Sequence, residues 1–245
     1  MTPANETLDT IALDESARSR LDELLSRKWS LPSDHPLSHL HERELGVYRL
    51  IVLLGPKNHV GSQYFQLLLT DANGSLAAEP LAQGLYNSGP FPAFNWVELT
   101  RYNSKLDIAG DSVDLAADGL DLQLFRLLSD LVPAGGHLMV EYDSPSQQPS
   151  EQVLTRGYPA ATSHIGYLMF QVGCRSYRDW YIPEGGREGP RKLQGFKPWN
   201  DEIAREKTKA LRKRLSDFVA MGLDATDEDV GPKAMARAHQ VLSAL

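Results

Sequence analysis

Two short apolar runs, "GVYRLIVLLG" at 46–55 and "SQYFQLLLTD" at 62–71, restrict the fold more than any other feature of this chain. They are separated only by "PKNHVG". Parallel strands need a crossover of a dozen residues or more between them, and six cannot supply one. Both runs carry β-branched and aromatic members and are bounded by Pro, Asn and Gly, which marks strands rather than helices. The spacing therefore predicts an antiparallel hairpin, followed by a turn at "DANG" (71–74).

The rest of the chain follows this start. Residues 12–28 read as an amphipathic helix, with Leu13, Ala17, Leu21, Leu24 and Leu25 at helical spacing. Its acids come first and its bases last, matching the helix dipole. Residues 29–43 read as a connection and 75–93 as mixed. "FNWVELT" (94–100) reads as a third strand, which "KLDIAG" (105–110) continues or follows with another. A helix over 118–132 places Leu120, Leu124, Leu127, Leu128 and Leu131 on one face, with Asp118 as its cap. A strand at 137–143, a helix closing at Gly173 and a strand at 177–183 come next. Two tail helices end the sequence, one over 201–222 capped by Asn200 and one starting near Pro232. The reading is one α/β domain over 1–198, an α+β sandwich with a mixed sheet, and a helical appendage over 199–245.

Composition narrows function by exclusion. A net charge of -7 argues against a general nucleic-acid binder. No apolar run reaches the roughly 20 residues of a membrane helix. The first ten residues lack the basic-then-apolar pattern of a signal peptide. A single cysteine, Cys174, rules out an internal disulfide and any CxxC site. These features together imply a reduced, cytoplasmic protein with no membrane partner.

Two segments of the chain resemble known families. "LSDLVPAGGHLMVEYD" and "YLMFQVGCRSYRDWYI" look like the back half of a class I methyltransferase, which implies a Rossmann-like fold and S-adenosylmethionine. The order of elements is similar instead to the N-acetyltransferase fold, which implies acetyl-coenzyme A as acyl donor. That family binds pyrophosphate at the start of its central helix. Here the position holds Asp111, Asp114, Asp118 and Asp121, which repel phosphate. The early hairpin favours the acetyltransferase-like arrangement over the Rossmann-like alternative. The phrase "EGGREGPRKLQG" makes the whole chain resemble an uncharacterised archaeal and bacterial domain-of-unknown-function family.

The candidate site centres on Tyr181 to Trp199, a run with four glycines, three prolines and four cationic side chains. Glycine lets a backbone approach a ligand, and arginine grips carboxylate or phosphate through paired bonds. Tyr181, Gly185, Gly186, Arg187, Gly189, Arg191 and Lys192 are thus candidate ligands of a small anionic metabolite, with Gly195 and Lys197 beside them. Glu141, Asp143 and Glu184 stand at strand ends, where α/β sheets border their crevices. Glu141 and Glu184 are the candidate general bases for an amine nucleophile. Lys57 and His59, in the hairpin loop with Ser62, are further candidate contacts. His35, His39 and His41 lie close in sequence but with no fixed element beneath them, so no metal site is expected. Cys174 reads as a packed thiol, and Lys209, Arg212, Lys213 and Arg214 as the solvated face of a helix. The tail helices are a candidate homodimer surface. Three functions follow: acyl transfer to a small polar acceptor, methyl transfer, or non-catalytic binding of a metabolite or partner.

Overall fold

The computed structural model describes residues 14–16, 18–19, 22, 39–57, 59–142, 157–181, 191–222 and 231–245. Its strands are β1 (His39–Leu45), β2 (Tyr48–Lys57), β3 (Ser62–Thr70), β4 (Ala82–Asn87), β5 (Trp96–Tyr102), β6 (Lys105–Ile108), β7 (Asp111–Asp114), β8 (His137–Tyr142), β9 (Ser176–Tyr181) and β10 (Arg191–Phe196). The helices are α1 (Leu120–Asp130), α2 (His164–Gln171), α3 (Asp201–Met221) and α4 (Gly231–Ala244). Eight strands form one sheet in the order β1-β2-β3-β4-β5-β8-β10-β9, and β6 and β7 form a separate ribbon. The fold is a mixed α/β one, with no helix among the described residues long and apolar enough to cross a membrane.

The chain divides into two compact units, Met1–Ser88 with Leu99–Leu124 and Gly89–Glu98 with Phe125–Leu245. In the first, β1 to β4 form an antiparallel meander, as the hairpin required. A Rossmann-like start of parallel strands and crossovers does not describe it. Within β2 and β3, Leu50 pairs with Leu69 and Val52 with Leu67. Leu50, Ile51, Leu53, Leu67, Leu68 and Leu69 are all buried. Near-continuous burial along β3 explains why its last residues read as an apolar run rather than an alternation.

Three elements depart from the sequence reading of this unit. The connection over 29–43 contains most of β1, whose His and Glu residues hide a strand that pairs with β2 along its full length. The mixed segment contains β4. "KLDIAG" starts the β6–β7 ribbon, turned by Ala109 and Gly110 at φ 55 and 91. A two-residue hairpin of this kind needs positive φ at both central positions. Among the described residues of 14–22, Glu15, Ser16, Arg18, Ser19 and Asp22 are helical, in keeping with the expected N-terminal helix.

The second unit holds β8, β10 and β9, with most of α1 and all of the later helices. α1 starts two residues after Asp118, so its expected cap is not made. Leu131 lies past its end and is 48% exposed, while Phe125 takes a buried place beside Leu124 and Leu128. Ser163 caps α2 by accepting a hydrogen bond from the Gly166 amide at 3.0 Å. The chain leaves α2 through Gly173 at φ 102, as expected. Asn200 caps α3 through the Ile203 amide at 2.9 Å. Leu211, Leu215 and Phe218 of α3 join Ala234, Ala238 and Val241 of α4 and Phe170 of α2 in one apolar cluster.

The largest correction concerns the glycine- and arginine-rich segment. Residues 191–196 are not loop but β10, which pairs antiparallel with β8 on one edge and β9 on the other. Gly195 therefore serves packing. A methyl group there would lie 2.8 Å from Met169 Sδ and 3.0 Å from Cys174 Sγ. Overpacking of this kind costs about 1–3 kcal/mol. Gly195→Ala is expected to lower stability by that amount in urea denaturation. Ala109→Gly, by relieving a left-handed conformation that costs about 1–2 kcal/mol in an L-residue, should raise it; an unchanged midpoint in both would contradict this packing and this turn.

Candidate functional site

β8 and β10 are in register with Glu141 opposite Lys192, Val140 opposite Leu193 and Met139 opposite Gln194. Side chains alternate along a strand. One face therefore carries Leu138, Val140 and Leu193, all buried. The other carries His137, Met139 and Glu141 from β8 with Phe196, Gln194 and Lys192 from β10. Glu98 of β5 belongs to this second face, because the Lys192 side chain reaches across β8 to meet it. His137 and Phe196 lie with ring centroids 5.5 Å apart at the far end of the two strands.

Lys192 is the centre of the arrangement. Its ammonium donates to Glu98 Oε1 and lies 3.0 Å from Glu141 Oε2. Desolvation works against its charge, but the hydrogen bonds to Glu98 and Glu141 outweigh that and raise its pKa above the ordinary lysine value. The side chains are 18% (Lys192), 9% (Glu98) and 20% (Glu141) exposed, so the cluster is half-buried with Glu141 its most open carboxylate. Two carboxylates around one ammonium leave an excess negative charge where water only partly screens it.

The structure gathers part of the expected site. Glu141 and Lys192 are in contact, and Arg191 sits in register with both Tyr142 and Tyr181. These residues share one end of β8, β9 and β10. Lys192 is engaged by its carboxylates, which the sequence reading of a free cationic loop did not anticipate. Glu184, Gly185, Gly186, Arg187 and Gly189 lie outside the described residues, as does Asp143. Lys57 and His59 belong to the β2–β3 hairpin of the first unit, where both are exposed and Lys57 Nζ lies 3.4 Å from Ser88 Oγ. His35 is outside the described residues, and His39 and His41 stand on β1.

Lys197 has a structural use. Its ammonium donates to the carbonyls of Ser129 and Val132, both at 2.7 Å, and so closes the C-terminal end of α1. Cys174 is fully buried, and burial pushes its thiol up to about 12, which suits a packed residue. Glu98 is the residue the sequence reading missed. Its one signal is a carboxylate between Val97 and Leu99, a pair that are each 1% exposed.

The start of α1, where an acetyltransferase-like chain would hold pyrophosphate, lies in the first unit. The amides of Leu120 and Asp121 both donate to the Leu115 carbonyl, at 2.9 and 3.3 Å. The Leu122 amide donates to Asp121 Oδ1 at 2.6 Å. The donors that would cradle a phosphate are already satisfied, and the buried Asp121 adds like charge. These residues do not fit the pyrophosphate of acyl-coenzyme A.

Removing Lys192 would leave two carboxylates facing each other without their counter-ion. Breaking a buried pair in this way costs about 3 kcal/mol, somewhat less where water reaches Glu141. Lys192→Met should lose about that much in urea denaturation at neutral pH. A lysine pKa raised by folding stabilises fully below its unfolded value and loses that contribution as pH climbs through the folded one. As pH rises from neutrality, the gap between wild type and Lys192→Met should therefore narrow only above pH 10.5. A gap that closed between neutral pH and that value would contradict the ion pairs.

The fold has a counterpart among solved structures. A crystal structure of a protein of unknown function, AQ1966 from Aquifex aeolicus VF5, superposes with a TM-score of 0.59, covering 94% of this chain and 98% of that one. At 19% identity the likeness concerns the fold. No curated protein matches the chain. A family model described as a protein of unknown function, DUF1122, matches residues 53–222, which take in the second half of β2, all of β3, the Glu98–Lys192–Glu141 cluster and α3. The chain belongs to the DUF1122 family.

Proposed function

We propose that this protein binds a small amine-bearing metabolite, and that the Glu98–Lys192–Glu141 cluster receives the amine. The observation that supports this reading is the placement of one ammonium between two carboxylates on a half-buried sheet face. An incoming ammonium brings three N–H donors and one positive charge. It would neutralise the excess charge and find acceptors whose orientation Lys192 has already fixed. Preorganised acceptors need no rearrangement when the charge arrives. Glu141, the most exposed member, is the carboxylate it would reach first.

Acyl transfer is a second reading, favoured by the order of elements. Four antiparallel strands are followed by β5, the β6–β7 ribbon, α1, β8, α2, β9 and β10; apart from that ribbon the order is similar to that in acetyltransferases. In that version Glu141 would take a proton from the bound ammonium and so free its lone pair for attack. The closed start of α1 weighs against coenzyme A being held there, and the reading assigns no residue to the donor.

Thermal unfolding of the full chain separates these readings. A ligand at a hundred times its dissociation constant stabilises by about 2.7 kcal/mol. A panel of small primary amines should contain members that raise the melting temperature of wild type but not of folded Glu141→Gln. Acetyl-coenzyme A and S-adenosylmethionine should leave it unchanged. A rise with acetyl-coenzyme A would transfer support to acyl transfer, and one with S-adenosylmethionine to methyl transfer. If no amine acts on wild type, or if amines act equally on Glu141→Gln, the amine site is refuted.

A further inference from the structure

We infer that the second unit carries a separate site for a phosphate-bearing small molecule, formed between residues 157–160, the segment Arg175–Tyr177 and one face of α3. Two adjoining cavities of about 690 and 160 Å³ lie there and share Pro159, Ala210 and Arg214 as walls. The larger has the size of ordinary small-molecule pockets.

The walls are cationic in a chain whose net charge is -7. Lys207, Ala210 and Arg214 recur at helical spacing and so form one stripe of α3. Alanine in the middle of the stripe leaves room between the two charges. Lys213 and Asp217 also line the larger cavity, but they neutralise each other across 2.7 Å. Lys207 touches Glu206 at 3.0 Å in a pair with its acid exposed, an arrangement that holds a cation only weakly. Arg214 has no ion-pair or hydrogen-bond partner among the described residues.

Arg175 supplies the fixed element. Its Nη1 donates to the carbonyls of Phe170 at 2.9 Å and Cys174 at 2.8 Å. Its guanidinium carbon lies 4.6 Å from the centre of the Phe170 ring. Those bonds use at most two of the five N–H donors of a guanidinium. The head group is thus anchored with donors left over, in the smaller cavity that Lys207 and Arg214 also line. Two arginines and a lysine around a small space suit the three-oxygen face of a phosphate better than a single carboxylate. In the larger cavity, Tyr158 packs against Phe218 with centroids 4.9 Å apart. That apolar wall suits the organic part of a phosphate ester.

The site is independent of the Glu98–Lys192–Glu141 cluster and is tested separately. Calorimetric titration of the full chain with inorganic pyrophosphate and with ADP should show binding of both, tighter for ADP because its nucleoside adds contacts in the larger cavity. Arg214→Glu and Lys207→Ala should each weaken binding by roughly tenfold or more, the equivalent of about 1.4 kcal/mol. Both positions lie on the helix surface, so unchanged melting temperatures are expected. Lys209→Ala, on another face of α3, and Glu141→Gln should bind as wild type does. The inference fails if neither probe binds at millimolar concentration, or if Arg214→Glu binds as wild type does. It fails equally if affinity grows with RNA oligonucleotide length and collapses with salt, since the surface would then be a nucleic-acid groove.

Discussion

β10 hydrogen-bonds along both edges, and the second unit depends on that double pairing. The strand that enters last in sequence lies between β8 and β9, two strands already made. An interior strand is paired along both edges, so its register is constrained twice. Leu193 and Gly195 fill the side packed on α2, where the absence of a β-carbon lets Met169 and Cys174 approach. Lys192 and Gln194 occupy the opposite side. A charged residue in an interior strand is costly unless it is paired; β8 beside it supplies Glu141, and β5 one strand further supplies Glu98.

That electrostatic solution links fold to chemistry. Lys192 spans β8 to reach Glu98, so its ion pairs join three neighbouring strands of the sheet. The same contacts place two carboxylates around one ammonium where water only partly reaches. A cluster built solely for stability could have balanced the charge or replaced it with apolar groups of similar volume, which is often neutral or better. The retained excess is the physical reason to look for a cationic ligand there. Across the unit, α3 presents the reverse polarity beside Arg175. The chain therefore offers opposite charges at two places within one unit despite its overall acidity.

Much of the framework was legible in the sequence. The six-residue gap between two apolar runs was too short for anything but a hairpin. Local pattern located α1, α2 and α3, and Asn200 stands where a cap belongs, whereas Asp118 does not cap α1 and Ser163, unmarked in the sequence, caps α2. Elements whose residues depart from the expected pattern were not legible. β1 is rich in charged residues and histidine because it is an edge strand with one partner. β10 begins in a segment whose glycines and prolines resemble loop chemistry, and its strand character comes from neighbours on both sides. Of the site, Glu141 was legible as a strand-end acid and Lys192 as a cation nearby. Glu98 was not, because its partner is 94 residues away.

The sequence by itself determined the antiparallel beginning, the positions of the helices with the Asn200 cap of α3, and the packed character of Cys174. Those features depend on local spacing and on side chains close in the chain. Only the tertiary structure decided that the cationic run enters the sheet, that Lys192 meets Glu98 and Glu141, and that Lys197 closes α1. Strand insertion brings together groups far apart in sequence, and a charge reveals its partner only when backbone register has set which side chains face one another.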